Sequence, residues 1–112
     1  KDFCVYSGND DQVLPLLSLG SVGVISVLAN IFPKEVHDLC YNFFDGNLEE
    51  SRKIQFKYLD LINSLFVQVN PIPIKEAMNF LKYDVGNCRL PLCDMDNSQK
   101  NILHQNLLKF KL

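Results

Sequence analysis

Two short stretches hold the residue types from which a binding site is made. "SGND" (7–10) follows the apolar segment "FCVYS", and "SVLAN" (26–30) overlaps the end of the apolar segment "VGVISV". Gly8 lets backbone come close to a ligand. Asn9 and Asp10 are types that cap a helix while leaving N–H groups aimed at an anion. A small carboxylate or phosphate suits such an edge; an ordinary turn with an N-cap fits the same residues, and both readings stay open on pattern alone.

The other reactive side chains stand apart. Ser7 and Ser26 lack the G-x-S-x-G surroundings of a hydrolase nucleophile. His37 and His104 have no carboxylate or cysteine at a telling spacing and read as surface or cap residues. Lys75 in "NPIPIK" has the amine a Schiff base needs, but its place at a helix start after two prolines reads as solvated or salt-bridged. Cys4, Cys40, Cys88 and Cys93 include no C-x-x-C pair and form no zinc pattern. Cys4 and Cys40 read as small core residues, while Cys88 and Cys93 flank "RLPL" and read as free thiols able to approach each other. The sequence implies no cofactor and no metal, and nothing in it assembles a full catalytic set.

The elements around these stretches follow from periodicity. "FCVYS" (3–7) and "VGVISV" (22–27) are nearly continuous apolar, β-branched and aromatic runs, the pattern of strands covered on both faces. Between them, acidic residues, Val13, Leu14 and Leu17, and then Gly20 predict a short helix bent or limited by Pro15, giving a βαβ unit. After Pro33, residues Val36, Leu39, Cys40, Phe43 and Phe44 fall on one helical face, and Gly46 ends that helix. A long helix is expected from Leu48 to about Val69, broken by Asn70-Pro71. A third helix carries Ile74, Ala77, Met78 and Leu81, and a last one begins near Ser98 with Leu103, Leu107 and Phe110 on one side.

The 112 residues suit a real core, and 47% hydrophobic with 21% charged residues is globular rather than disordered usage. A net charge of −2 with scattered lysines argues against nucleic acid and against a membrane surface as partners. The chain begins Lys1-Asp2-Phe3, directly on an apolar segment, and reads as cut from something longer. Two parallel strands alone leave edges and faces that the following helices cannot all cover, which points the same way.

"YSGND", "SLGSVGVISVLANIFPKEV", "LFVQVNPIPIKEAM" and "RLPL" occur in an order and spacing that resemble the C-terminal part of the dihydrodipicolinate synthases. The resemblance runs from Phe3 to the end. N-acetylneuraminate lyase-type aldolases share its turn but depart from the "GVISV" pattern; that alternative and a stand-alone helical interaction module remain as other readings.

The resemblance implies an α/β, mostly helical fold. Residues 1–45 would be strands 7 and 8 of a (β/α)8 TIM barrel with their helices, and residues 46–112 a C-terminal helical domain. It implies a lyase of lysine (diaminopimelate) biosynthesis that condenses pyruvate with aspartate semialdehyde through a lysine Schiff base, in the cytoplasm and without a cofactor. Pyruvate would meet the backbone of Ile25 and the wall formed by Gly8, with Asn9, where Asp is frequent, and Ser26 nearby. No catalytic residue falls in this chain, since the family's Schiff-base lysine precedes "FCVYSG". The parent is expected to be a homo-oligomer, and the isolated chain inactive and dimeric or larger.

Overall fold

Branched and aromatic residues favour extended backbone, and the two apolar segments near the start adopt it. A computed structural model describes residues 2–110. In it the two segments run parallel, with Val22 N–H donating to Val5 O, Ser7 N–H to Gly23 O and Ile25 N–H to Ser7 O, each at 2.9 Å. Ser7 and Val24 form a single parallel bridge. Among the described residues no element qualifies as a strand, which corrects the expectation for 3–7 and 22–27. The cause is physical: each segment is paired along one edge only, and parallel pairing is weak without neighbours. Phe3 is 88% exposed and Ile25 72% exposed, so the apolar faces expected to be covered are open. Cys4, read as a core residue, is exposed for the same reason.

The remainder is helical. A 3₁₀ turn at Asp10–Gln12 leads into α1 (Val13–Ser18), with Pro15 in its first turn, and Gly20 follows at a φ of +99°. A second 3₁₀ turn, Leu28–Asn30, precedes α2 (Pro33–Phe44). Then come α3 (Leu48–Leu65), α4 (Ile72–Phe80) and α5 (Asn97–Leu108). α3 ends four residues before the expected Val69. Phe66, Val67 and Val69 are weak helix formers, and Asn70 is turned from helical backbone by the proline after it.

The chain forms two compact units, Lys1–Leu59 and Asp60–Leu112. Lys1, Lys111 and Leu112, at the ends of the two spans 1–45 and 46–112 named above, lie outside the described residues. In the first unit, Val13 and Leu17 of α1 bury against Leu39 and Cys40 of α2, with Val24, Phe43 and Ile54 packed on them. Burial pushes the Cys40 thiol up from its ordinary pKa. Phe44, the last residue of the α2 stripe, stays about half exposed.

In the second unit α4 and α5 pack together. Glu76 accepts from His104 Nε2 at 2.8 Å and pairs with Lys100 at 3.0 Å, while the His104 ring stacks on Phe80 at 4.0 Å. His104 thus has a carboxylate partner that lies 28 positions away, outside the reach of local spacing. His37 is exposed and stacks on Tyr41. Asp96 caps α5, accepting from Ser98 N and Gln99 N; the Ser98 hydroxyl and then the Gln99 N–H hold its carboxyl below the usual range.

One buried side chain ties α3 to the start of the first unit. Gln55 donates from Nε2 to Asp10 O at 2.9 Å and accepts at Oε1 from Leu14 N–H at 3.2 Å. Gln55→Leu keeps the volume and removes both bonds. Leaving buried backbone groups unpaired costs about 1–3 kcal/mol each, so urea denaturation should show a loss of that order. A variant as stable as the parent would show that the bracket contributes nothing.

Candidate functional site

The two stretches singled out by residue type come together around one carboxylate. Asp10 is 2% exposed, and its side chain reaches across sixteen positions to the second stretch. Oδ1 accepts the Ser26 hydroxyl, and Oδ2 accepts Val27 N–H at 2.9 Å and Leu28 N–H at 3.0 Å. Ser26 Oγ in turn accepts Ala29 N–H at 2.9 Å. A buried carboxylate with no ion pair among the described residues requires such donors, because hydrogen bonds must carry what water supplied. Asp10 therefore caps the turn of the other stretch rather than its own. The signal for this was an acidic residue just past one apolar segment and a Ser-led turn just past the next, but the distance between them hid the pairing.

Ser7, fully buried, sets the first stretch. Its hydroxyl donates to Asn9 O at 2.7 Å and accepts Asn9 N–H at 3.3 Å, a local turn that leaves the Asn9 side chain without a capping bond to the 3₁₀ turn after it. The Ser7 carbonyl accepts Ile25 N–H, and that carbonyl belongs to the peptide entering Gly8. Gly8 and the Ile25 backbone are thereby placed side by side. Because the Ile25 N–H is spent on Ser7, a ligand meeting this backbone finds the Ile25 carbonyl oxygen.

Gly8 differs from the other four glycines. Gly20, Gly46 and Gly86 occupy left-handed backbone, and a Cβ on Gly23 would press on the Tyr6 ring at 3.2 Å. Gly8 has neither reason: a Cβ there meets nothing within 4 Å, and its φ is not left-handed. Lys75, the other residue considered for chemistry, directs Nζ to Asn87 O at 2.7 Å. A wider apolar groove of about 340 Å³ beside Leu14, Leu48 and Phe56 includes none of Gly8, Asn9, Ile25 and Ser26. Among the described residues, no three His, Cys, Asp or Glu side chains cluster as metal ligands, and no helix is long and apolar enough to cross a membrane.

A sequence profile of the dihydrodipicolinate synthetase family matches residues 1–110. The chain belongs to the dihydrodipicolinate synthetase family. A 4-hydroxy-tetrahydrodipicolinate synthase of Acetivibrio thermocellus is 59% identical over 111 residues, covering 99% of this chain and 38% of the relative. A dihydrodipicolinate synthase from Thermotoga maritima superposes with a TM-score of 0.93 at 42% identity, over 96% of this chain and 37% of its own. A structure described as the first monomeric dihydrodipicolinate synthase variant gives 0.91 at 42% identity, over 96% and 36%. The chain thus spans little more than a third of the length of the family members it matches.

Within this family member, the Asp10 clamp ties the turn after the second segment to the first stretch, beside the backbone hydrogen bonds that set their register. Asp10→Ala leaves the Val27 and Leu28 N–H groups without their acceptor, at about 1–3 kcal/mol for each orphaned donor. Chemical denaturation should show the loss, and Val27 and Leu28 amides should exchange with solvent faster than those of α3. Unaltered exchange at both amides would remove Asp10 as the clamp.

Proposed function

We propose that this chain is the closing portion of a pyruvate-condensing lyase of lysine (diaminopimelate) biosynthesis. In this reading residues 1–45 supply the seventh and eighth strands of a (β/α)8 barrel with their helices, and 46–112 form the helical C-terminal domain. The parent joins pyruvate to aspartate semialdehyde through a lysine imine. The names of the relatives support the activity, and the parallel register of 5–7 against 22–25 supports the barrel placement. Cytoplasmic location belongs to the same proposal.

The observation that carries the site is the pairing of Gly8, small without any reason inside the chain, with the Ile25 carbonyl beside it. Pyruvate is a flat, three-carbon keto acid, and a wall without a side chain lets it lie against backbone. When an amine attacks its ketone, the resulting carbinolamine carries a hydroxyl and an N–H, both donors that a carbonyl oxygen can accept. Gly8 and Ile25 are thus assigned to pyruvate, and Asn9 and Ser26 to the margin of the site. Ser26 serves there chiefly through its bonds to Asp10 and Ala29. The nucleophilic lysine is assigned to parent sequence outside this chain, so the chain alone is expected to be inactive. Incubation with pyruvate and borohydride, followed by mass analysis, should give no stable adduct on any lysine. An adduct on Lys75 or another lysine of this chain would overturn that assignment.

The open faces carry a second consequence. Phe3, Val5, Val22 and Ile25 are substantially exposed, and burying one such side chain is worth roughly 1.5–3 kcal/mol. The isolated chain is therefore expected to associate through these segments, separately from any assembly of the parent. Sedimentation at micromolar concentration should show a dimer or larger species; a monomer with both segments ordered would contradict it.

A further inference from the structure

The segment from Val85 to Asp96 is irregular, yet held at both ends. Asn79 of α4 accepts Val85 N–H at 2.8 Å and donates to Gly86 O at 3.1 Å, Lys75 Nζ donates to Asn87 O, and Gln68 accepts Asp96 N–H at 2.9 Å. At its centre the chain reverses: Leu92 N–H donates to Arg89 O at 3.1 Å, closing a four-residue turn. Cys88 and Cys93 are the residues immediately outside that turn. A disulfide spans Cα atoms about 4.4–6.8 Å apart, and a four-residue turn brings the chain on its two sides toward each other. Both cysteines also line one small cleft of about 20 Å³, together with Lys75 and Met95. That volume admits a water-sized molecule. Cys93 is exposed and Cys88 half-buried, and both are free thiols.

We propose that Cys88 and Cys93 are a peroxide-oxidisable pair, a modification site that closes into an intrachain disulfide across the Arg89–Leu92 turn. The accessible Cys93, as its thiolate, attacks one oxygen of hydrogen peroxide; the O–O bond breaks, hydroxide leaves and is protonated to water, and Cys93 becomes a sulfenic acid. The Cys88 sulfur then attacks the Cys93 sulfur, the S–O bond breaks, and a second water leaves with the Cys88 proton. Two thiols and one peroxide give one disulfide and two waters, the sulfurs losing two electrons and the peroxide gaining them. Oxidation pins the turn between its anchors on α4 and Gln68, and a dithiol reductant reverses it. The site is independent of the pyruvate-binding assignment, because it uses neither of the two Asp10-clamped stretches.

Trypsin offers a direct readout, since it cuts after Lys82, Arg89 and Lys100 and so separates the two cysteines. The full chain is treated with a few equivalents of hydrogen peroxide, its free thiols are blocked with N-ethylmaleimide, and peptides are mapped by mass. The expected product is peptide 83–89 linked to peptide 90–100, with the intact chain lighter by two hydrogens, monomeric on a non-reducing gel and restored by dithiothreitol. In Cys88→Ser the link should vanish and Cys93 should accumulate as a sulfenic acid captured by dimedone. The proposal is overturned by either of two results: Cys88 fully alkylated while Cys93 advances to sulfinic or sulfonic acid, or linkage found only between separate chains.

Discussion

A single buried carboxylate organises the part of the molecule with functional interest. Asp10 sits one residue past an exposed stretch, yet it is itself almost fully buried and bonded to Ser26, Val27 and Leu28. Its carboxyl oxygens accept from a hydroxyl and two N–H groups, which fixes the turn after the second apolar segment against the turn after the first. Gln55 reaches the backbone of the same residue from α3, so the clamp is braced from the helical side as well. Gly8 and Ile25 owe their adjacency to this arrangement together with the Ser7–Ile25 hydrogen bond.

The helices were legible in the sequence because their signals are local. Pro33 at a helix start, the 36/39/40/43 stripe, Gly46 as a stop and Leu103 with Leu107 all follow from spacing, and the structure places Val36, Leu39, Leu103 and Leu107 in buried positions. The extended segments were legible as apolar runs but not as finished elements, because whether such a run becomes a strand depends on neighbours along both edges. Among the described residues there is one paired edge and one bridge. The family resemblance rested on short motifs and is carried by the match over residues 1–110.

The candidate site was legible only in part. Gly8, Asn9, Ile25 and Ser26 could be picked out by type and resemblance, whereas the partnership of Asp10 with the second stretch depends on a contact sixteen residues away. The Glu76–His104 pair, 28 residues apart, was hidden for the same reason. Cys88 and Cys93 represent the opposite case: a separation of five residues around a turn is readable, but only the structure shows both lining one cleft.

The central claim is that the Asp10-clamped stretches complete a pyruvate site whose nucleophile lies on other sequence. The direct measurement is fragment complementation. This chain is mixed with the portion of the 59%-identical Acetivibrio thermocellus synthase that it does not match, with the relative's own matching segment as the positive control. Pyruvate and borohydride should then label a lysine of the added portion, and condensation with aspartate semialdehyde should appear in the mixture and in neither part alone. If the relative's own segment restores labelling and this chain does not, the claim is contradicted.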